Sequence, residues 1–196
     1  MIGWRPGISI EAERSIRAIH RARVLVARSR RTAIPSASAD DYRAELNAVA
    51  IVHAFSVLDA YLTIRGDAIF HRDLPMRATG TPIQNYVHEQ VSRRFRGAVA
   101  GTVDFWRNAL EVNIDKGAPQ WSKIQEFREL RNLLVHSLGA VRPHGDRLPA
   151  SIEGRLIAIG ADPTKFVGRV PTSDSDFDDL AAWIEAAIVW IDKERP

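Results

Sequence analysis

The segment from Asp41 to Ile64 constrains the fold more than any other part of the sequence. Apolar residues follow a helical repeat on one side of this segment, at Leu46, Val49, Ala50, Val57, Ala60 and Ile64. A second apolar row lies on the far side, at Ile51, Phe55, Leu58 and Leu62. A helix that is apolar nearly all round is buried by its neighbours. The segment therefore predicts a central core helix, and its polar interruptions and length argue against a membrane span.

Helical periodicity also predicts further helices before and after this central one. They are Ile8 to Arg31, Pro82 to about Gly97 or Gly101, Thr102 to Asn113, Gln120 to Leu138 and Phe177 to Lys193. Gly66 to Pro82 is predicted to be a loop. Gly139 can adopt the left-handed backbone that ends a helix, and Ser173 or Ser175 can cap the start of the last helix.

Residues 140–172 differ from the helical segments because they are rich in proline and glycine. Two short apolar runs, Arg155 to Ile159 and Lys165 to Val170, flank the turn-forming residues 160–164. This pattern predicts a small β-hairpin insertion. The 196 residues as a whole predict a single, mainly α domain, a helical bundle with that small C-terminal hairpin and a final packing helix, residues 173–193.

Composition limits the chemistry that the chain can carry. It has no cysteine, which excludes disulfides, thiolate catalysis and cysteine-based zinc sites. The histidines lack metal-ligand spacing, so we expect no metal, and His53, within the central helix, is expected to lie in the core. The N-terminus lacks the features of a secretion signal, and we expect a cytoplasmic protein with no membrane contact.

Arginine accounts for most of the positive charge and occurs in clusters. One cluster spans Arg14 to Arg31, and a second consists of Arg93, Arg94 and Arg96. Arginine side chains match phosphate oxygens, so these clusters permit nucleic-acid binding. A solvated surface is the alternative explanation.

Arg131 is predicted to point toward the core of the helix Gln120–Leu138. At about 100° per residue, it falls within the apolar stripe formed by Ile124, Phe127, Leu130, Leu134, Val135 and Leu138. A buried guanidinium needs a partner. Asp59, which forms a polar line with Ser56 and Thr63 on the central helix, is the predicted partner, with Glu45 and Glu126 as weaker candidates.

Asn132 and His136 lie four residues apart and share a different face of the same helix. The helical geometry predicts that His136 points outward, toward solvent or a second copy of the chain. Leu133 on that face favours an interface, at which a two-fold axis would bring two copies of His136 to one cleft.

The sequence around these residues resembles the HEPN superfamily. Glu129, Leu130, Arg131, Asn132 and His136, followed by Gly139, match its E-L-R-N-x-x-x-H signature. The segment Phe55–Leu62, with Asp59, resembles the acidic inner helix of these domains and comes before the motif helix, as in the family. The resemblance implies an up-down helical bundle that acts as a dimer.

The activity that the resemblance implies is that of a metal-independent endoribonuclease, a toxin or antiviral effector, that uses no cofactor. Arg131 and His136 would be catalytic, with Asn132 supporting them, Asp59 orienting Arg131, and Ser56 as a further supporting residue. Histidine can transfer the protons of 2′-OH attack, and arginine can stabilise the phosphorane. RNA is the expected substrate, with Arg128, Arg93, Arg94 and Arg96 as further contacts, and any antitoxin would be a separate chain.

Two other interpretations are open. The chain could be a HEPN-like module that has kept the motif but serves only in dimerisation or in binding a partner or RNA. It could also be a helical scaffold unrelated to the family, in which Asp59 and Arg131 do not meet. The predicted hairpin could recognise substrate, bind an antitoxin or only cover the core.

Overall fold

The protein is mainly helical in the computed structural model, which describes residues 7–32, 39–73, 89, 99–137, 139–141 and 148–195. The described helices are α1 (Ile10–Arg30), α2 (Ala39–Asp73), α3 (Val99–Ala109), α4 (Ile114–Gly117), α5 (Trp121–Ser137), α6 (Ala150–Ala158) and α7 (Asp174–Glu194). Two short strands, β1 (Ala140–Val141) and β2 (Gly168–Arg169), pair antiparallel. The helix predicted from Pro82 lies outside the described residues, except for Glu89.

The central helix α2 is longer than the sequence predicts. Its 35 residues continue through Gly66, where a loop was predicted, and end at Asp73. Gly66 and Ile69 are buried, and the Phe70 ring packs edge-on against Phe105 at 5.7 Å between ring centres. This packing offsets the roughly 1 kcal/mol by which glycine weakens a helix relative to alanine.

The predicted β-hairpin is wrong. Its first run, Arg155 to Ile159, lies almost entirely in helix α6, whose buried side chains are Ile152 and Leu156, four residues apart. Only the second run contains a strand, β2, and it pairs with β1 rather than with residues 155–159. The spacing of Ile152 and Leu156 suits a helical face, and it outweighs the β preference of the isoleucines beside them.

The chain divides into two units that are each built around their own core. The first unit comprises Met1–Ala18, Val57–Trp121 and Glu185–Pro196, and the second comprises Ile19–Ser56 and Ser122–Ile184. The largest buried side chains of the first unit include Leu58, Tyr61, Leu62, Ile69, Trp106 and Ile114. Those of the second unit include Ile19, Ile51, Phe55, Ile124, Leu130 and Phe177.

A buried carboxylate, Asp192, organises the first unit. Its Oδ2 accepts the backbone N–H of Ser9 at 2.6 Å, and its Oδ1 accepts the hydroxyls of Ser9 at 2.6 Å and Tyr61 at 3.3 Å. Arg65 places its Nε 3.0 Å from the same Oδ1 and donates from Nη2 to the carbonyl of Arg195. Asp192 thereby joins the start of α1, the middle of α2 and the end of α7.

A second polar cluster fastens α1 in the second unit. Arg30 donates to Asp178 at 2.9 Å and to the side-chain carbonyl of Asn47 at 3.0 Å, and its Nε lies 3.0 Å from Asp174. The buried Asn47 in turn donates to Asp174. At the start of α7, Ser173 Oγ accepts the Asp176 N–H and Asp176 accepts the Ser173 N–H, which confirms Ser173 as the predicted cap.

By length and composition, α2 from Asp41 to Asp73 could cross a membrane. Half of its most apolar 18-residue stretch is buried inside the protein. A core helix satisfies the same criterion, and side chains of α2 contribute to the cores of both units. The finding therefore gives only weak support to a membrane-spanning role.

Candidate functional site

The motif residues lie on helix α5, which buries one face in the second unit. Ile124, Phe127 and Leu130 are buried as the helical repeat predicts, and the Phe127 ring packs edge-on against Trp183. The predicted stripe is wrong at Val135, which is 43% exposed. Leu134 is half-buried, and Leu138, the last residue of the predicted stripe, lies outside the described residues.

Arg131 is half-buried, and its guanidinium reaches the surface beside Asn132. Nη1 donates to the exposed Asn132 side-chain oxygen at 3.1 Å. Its Nε is buried, and no hydrogen-bond acceptor for it lies among the described residues. The side chain therefore presents its charged end next to Asn132 and places its Nε against the protein interior.

His136 is exposed near the end of α5, as the helical geometry predicts. It follows Asn132, also exposed, by four residues and therefore lies on the same side of the helix, about one turn further along. An amide, an imidazole and the outer end of a guanidinium are thus available together on one accessible face.

Gly139 ends the motif helix in the predicted way. Its φ of +76° is the left-handed conformation that glycine adopts without strain, and its N–H donates to the Leu133 carbonyl at 3.2 Å. Its own carbonyl accepts the Val170 N–H at 2.9 Å, next to the β1–β2 pair. Gly139, three residues after His136, is thereby tied to the residue that follows β2.

An apolar groove of about 420 Å³ lies beside the motif residues, within the second unit. It is lined by Ala48, Val49, Val52, Leu134 and Val135, with Glu45 and Arg169 at its polar positions. Val49, predicted to be a core residue, is 68% exposed and is a second correction to the apolar pattern. The groove includes Val135, the residue directly before His136.

The polar positions of the groove form an ion pair. Arg169 Nη1 lies 3.0 Å from Glu45, and both side chains are mostly exposed, so the pair contributes little to stability. Nearby, the Thr172 hydroxyl donates to the Ala44 carbonyl at 2.9 Å. These contacts bring the segment after β2 against α2.

The remaining predicted site residues have different outcomes. The Ser56 side chain is exposed and donates to the Val52 carbonyl of its own helix, and Arg128 is half-buried. Asp59 belongs to the first unit and Arg131 to the second, and their ion pair stays a prediction. Arg93, Arg94 and Arg96 lie outside the described residues. His53, predicted to lie in the core, is exposed.

Sequence reasoning missed the groove and the Asp192 cluster. The exposed side chains Val49 and Val135 look like core residues in sequence, because an apolar repeat does not show which apolar face lacks a neighbour. Asp192 is one of several charged residues near the end of the chain, and the residue it contacts most closely, Ser9, is 183 positions away. The apolar residues Ile188 and Ile191, four and one positions before Asp192 on the same helix, were the available signal that this end of α7 is buried.

The described residues contain no group of histidine and carboxylate side chains that could hold a metal ion. No protein-family model matches the chain, and no curated protein or solved structure matches it. The resemblance to HEPN domains therefore depends on the motif residues themselves.

Proposed function

We propose that the chain is a metal-independent endoribonuclease of the HEPN type that acts in the cytoplasm. Arg131 and His136 are its catalytic residues, and Asn132 supports them. The observation that carries the proposal is the shared exposed face of α5. There Arg131 Nη1 donates a hydrogen bond to Asn132, which lies one helical turn from the exposed His136.

The reaction transfers the phosphoryl group within the RNA chain. The ribose 2′-oxygen attacks the adjacent phosphorus, so that the bond from phosphorus to O2′ forms and the bond to O5′ breaks. A base accepts the 2′-OH proton and an acid delivers a proton to O5′, which leaves a 2′,3′-cyclic phosphate and a 5′-hydroxyl. Histidine serves either role near neutral pH, and the Arg131 guanidinium stabilises the additional charge on the phosphorane.

A dimer supplies both the acid and the base. Each chain offers one motif histidine, so two copies related by a two-fold axis provide one His136 for each proton transfer. The apolar groove at Val49 and Val135 supports this arrangement, because Val135 directly precedes His136 and an exposed apolar groove would be covered by a second copy.

Cleavage of RNA by the purified protein tests the activity. His136→Ala should lower the cleavage rate about 100- to 10,000-fold, the usual contribution of a general acid or base. His71→Ala removes another exposed histidine and should leave the rate unchanged. Cleavage should persist in EDTA, end in a 2′,3′-cyclic phosphate, and stop when the attacking 2′-OH is replaced by hydrogen. Equal cleavage by wild type and His136→Ala contradicts the proposal.

The oligomeric state tests the dimer. Val135→Asp places a charge in the apolar groove and should convert a dimer into a monomer in sedimentation experiments. Val167→Asp is the matched control, because Val167 is 68% exposed and does not line the groove. A wild-type monomer, or a dimer that Val135→Asp leaves intact, refutes this placement of the second copy.

The groove also favours a second candidate function. An apolar groove of about 420 Å³ on a helical surface is suited to packing against another helix without any chemistry. The chain would then be a HEPN-like dimerisation or partner-binding module. A dimer that Val135→Asp disrupts, together with no His136-dependent cleavage, would favour this function over the endoribonuclease.

A further inference from the structure

Exposed cations in the described part of the chain fall into two classes. One class already has a carboxylate partner, as Arg72 has in Asp73, Arg107 in Asp104 and Asp115, and Lys165 in Asp162. The other class includes Arg21, Arg28 and Arg31, which are exposed and for which the described residues offer no carboxylate within 4 Å. These three lie within the second unit, on or directly after α1.

Helix geometry places these arginines on the solvent side of α1. Arg21 and Arg28 are seven residues apart, which puts them on one side of the helix and about 10 Å apart along its axis. The other side of this segment is buried through Ile19, Ala22 and Val26. Arg31 follows the helix, and its backbone N–H donates to the Arg28 carbonyl.

The helix that carries these arginines is firmly held. Arg30, between Arg28 and Arg31 in sequence, is bound to Asp178, Asp174 and Asn47. Arg30 is thus used for structure, whereas Arg28 and Arg31 beside it have no acidic partner among the described residues. A fixed row of uncompensated guanidinium groups attracts a polyanion and orients it along the helix.

We propose that this surface, the α1 basic face formed by Arg21, Arg28 and Arg31 with Val24 and Leu25, binds the phosphate backbone of single-stranded RNA. Arginine forks match phosphate oxygens, and the spacing along α1 lets each guanidinium contact a separate phosphate. Val24 and Leu25 are 64% and 61% exposed between the arginines and offer an apolar surface to unpaired bases. The choice of RNA among polyanions rests on the proposed endoribonuclease function.

A lipid surface also carries phosphates, but the α1 basic face suits it less. Helices that bind membranes bury a continuous apolar face between the lipid headgroups. Between Arg21 and Arg31, the apolar face of α1 is buried at Ala22 and Val26, and Val24 and Leu25 are the exposed large apolar side chains. Two aliphatic side chains among arginines provide little area for insertion.

Salt-dependent binding of labelled oligouridine tests the α1 basic face, measured by fluorescence anisotropy in the His136→Ala background so that the RNA stays intact. The variant R21Q/R28Q/R31Q should lower the slope of log affinity against log salt by about 2, since each lost phosphate contact contributes about 0.7. The ratio of the affinity without the triple substitution to the affinity with it should then fall about 16-fold as the salt rises from roughly 50 to 200 mM. Circular dichroism checks that the variant is folded.

The matched control is R72Q/R107Q/K165Q, which removes the same three charges from residues that already have carboxylate partners. It should change the slope by less than half as much. The proposal is overturned if the two triple variants have equal slopes, or if wild type does not bind oligouridine. It is also overturned if R21Q/R28Q/R31Q loses binding to phosphatidylserine vesicles but keeps its binding to oligouridine.

Cleavage assays separate the failure of this surface from the failure of the proposed function. If His136→Ala abolishes cleavage while R21Q/R28Q/R31Q binds and cleaves RNA like wild type, the nuclease stands and the α1 basic face is wrong. If R21Q/R28Q/R31Q loses binding while wild type shows no His136-dependent cleavage, the face binds RNA and the nuclease proposal fails.

Discussion

Replacing Asp192 with asparagine should destabilise the protein by about 3 kcal/mol. Asp192 is 2% exposed and uses both oxygens, Oδ2 for the Ser9 N–H and Oδ1 for the Ser9 and Tyr61 hydroxyls and the Arg65 charge. Asparagine has the same shape but only one acceptor oxygen. Whichever way the amide is oriented, its NH₂ group therefore faces a donor that contacts a carboxylate oxygen in the wild-type protein.

The magnitude follows from what each partner can contact after the change. Tyr61 has a second acceptor, the Ile188 carbonyl at 3.4 Å, and Arg65 keeps the Arg195 carbonyl and lies 4.0 Å from Glu11. The loss is therefore one charge-assisted hydrogen bond, about 1.5 to 3 kcal/mol, and part of an ion pair. Loss of one partner in a fully buried pair costs 3 to 5 kcal/mol, and the remaining contacts of Arg65 place this site at the lower end.

Urea unfolding followed by both circular dichroism and tryptophan fluorescence measures the effect. Asp179→Asn, an exposed position on the same helix, is the control and should change stability by less than about 0.5 kcal/mol. In an Arg65→Met background, Asp192→Asn should cost at least 1 kcal/mol less than in wild type, because no buried cation is left without its carboxylate. A cost under about 0.5 kcal/mol, or an equal cost in both backgrounds, refutes this account of the cluster.

Two further predictions concern Tyr61 and Gly139. Burial, and next the Asp192 charge, raise the pKa of Tyr61 well above its usual range, so the folded state keeps its proton when the unfolded chain releases it. Stability should therefore fall above about pH 10, by up to about 1.4 kcal/mol per pH unit, and Tyr61→Phe should reduce this fall in urea titrations at pH 9 and 11. Gly139→Ala should cost about 1 to 2 kcal/mol, because φ is +76° and the new Cβ would lie 3.1 Å from Leu134 Cδ2. Gly154→Ala, in a helix with open space around it, should instead stabilise by about 0.5 kcal/mol, and the opposite order of the two variants would contradict the argument.

Local signals predicted the ends of several helices well. The Ser173 cap and the left-handed Gly139 each follow from chemistry within a few residues. The prediction failed where distant packing decides the outcome. Gly66 does not end α2, because the next turn is buried against residues near position 105. Residues 155–159 are helical, because Ile152 and Leu156 share a buried face.

The sequence likewise predicted only part of the candidate site. The exposure of Asn132 and His136 follows from their positions on one helix, and the sequence predicts it correctly. Burial of Val49 and Val135 was expected from their apolar character, and both are exposed. Periodicity predicts which residues share a face, but it does not show whether the same chain covers that face. Exposed apolar positions of this kind are candidate contacts with a second copy of the chain.

The two surfaces of the second unit would serve different steps of one reaction. The face of α5 carries the polar groups that can act on a phosphodiester, and the adjacent groove offers the apolar area that could hold a second copy beside them. The arginines of the α1 basic face have no carboxylate within 4 Å in the described part of the chain, and none of the five residues that form this face is an acid–base residue. The face can therefore retain a polyanion but not cleave it. Charge removal there should therefore raise the RNA concentration needed for half-maximal cleavage and leave the maximal rate unchanged, whereas His136→Ala should lower the maximal rate. An equal loss of maximal rate in both variants would mean that the two surfaces are not separate.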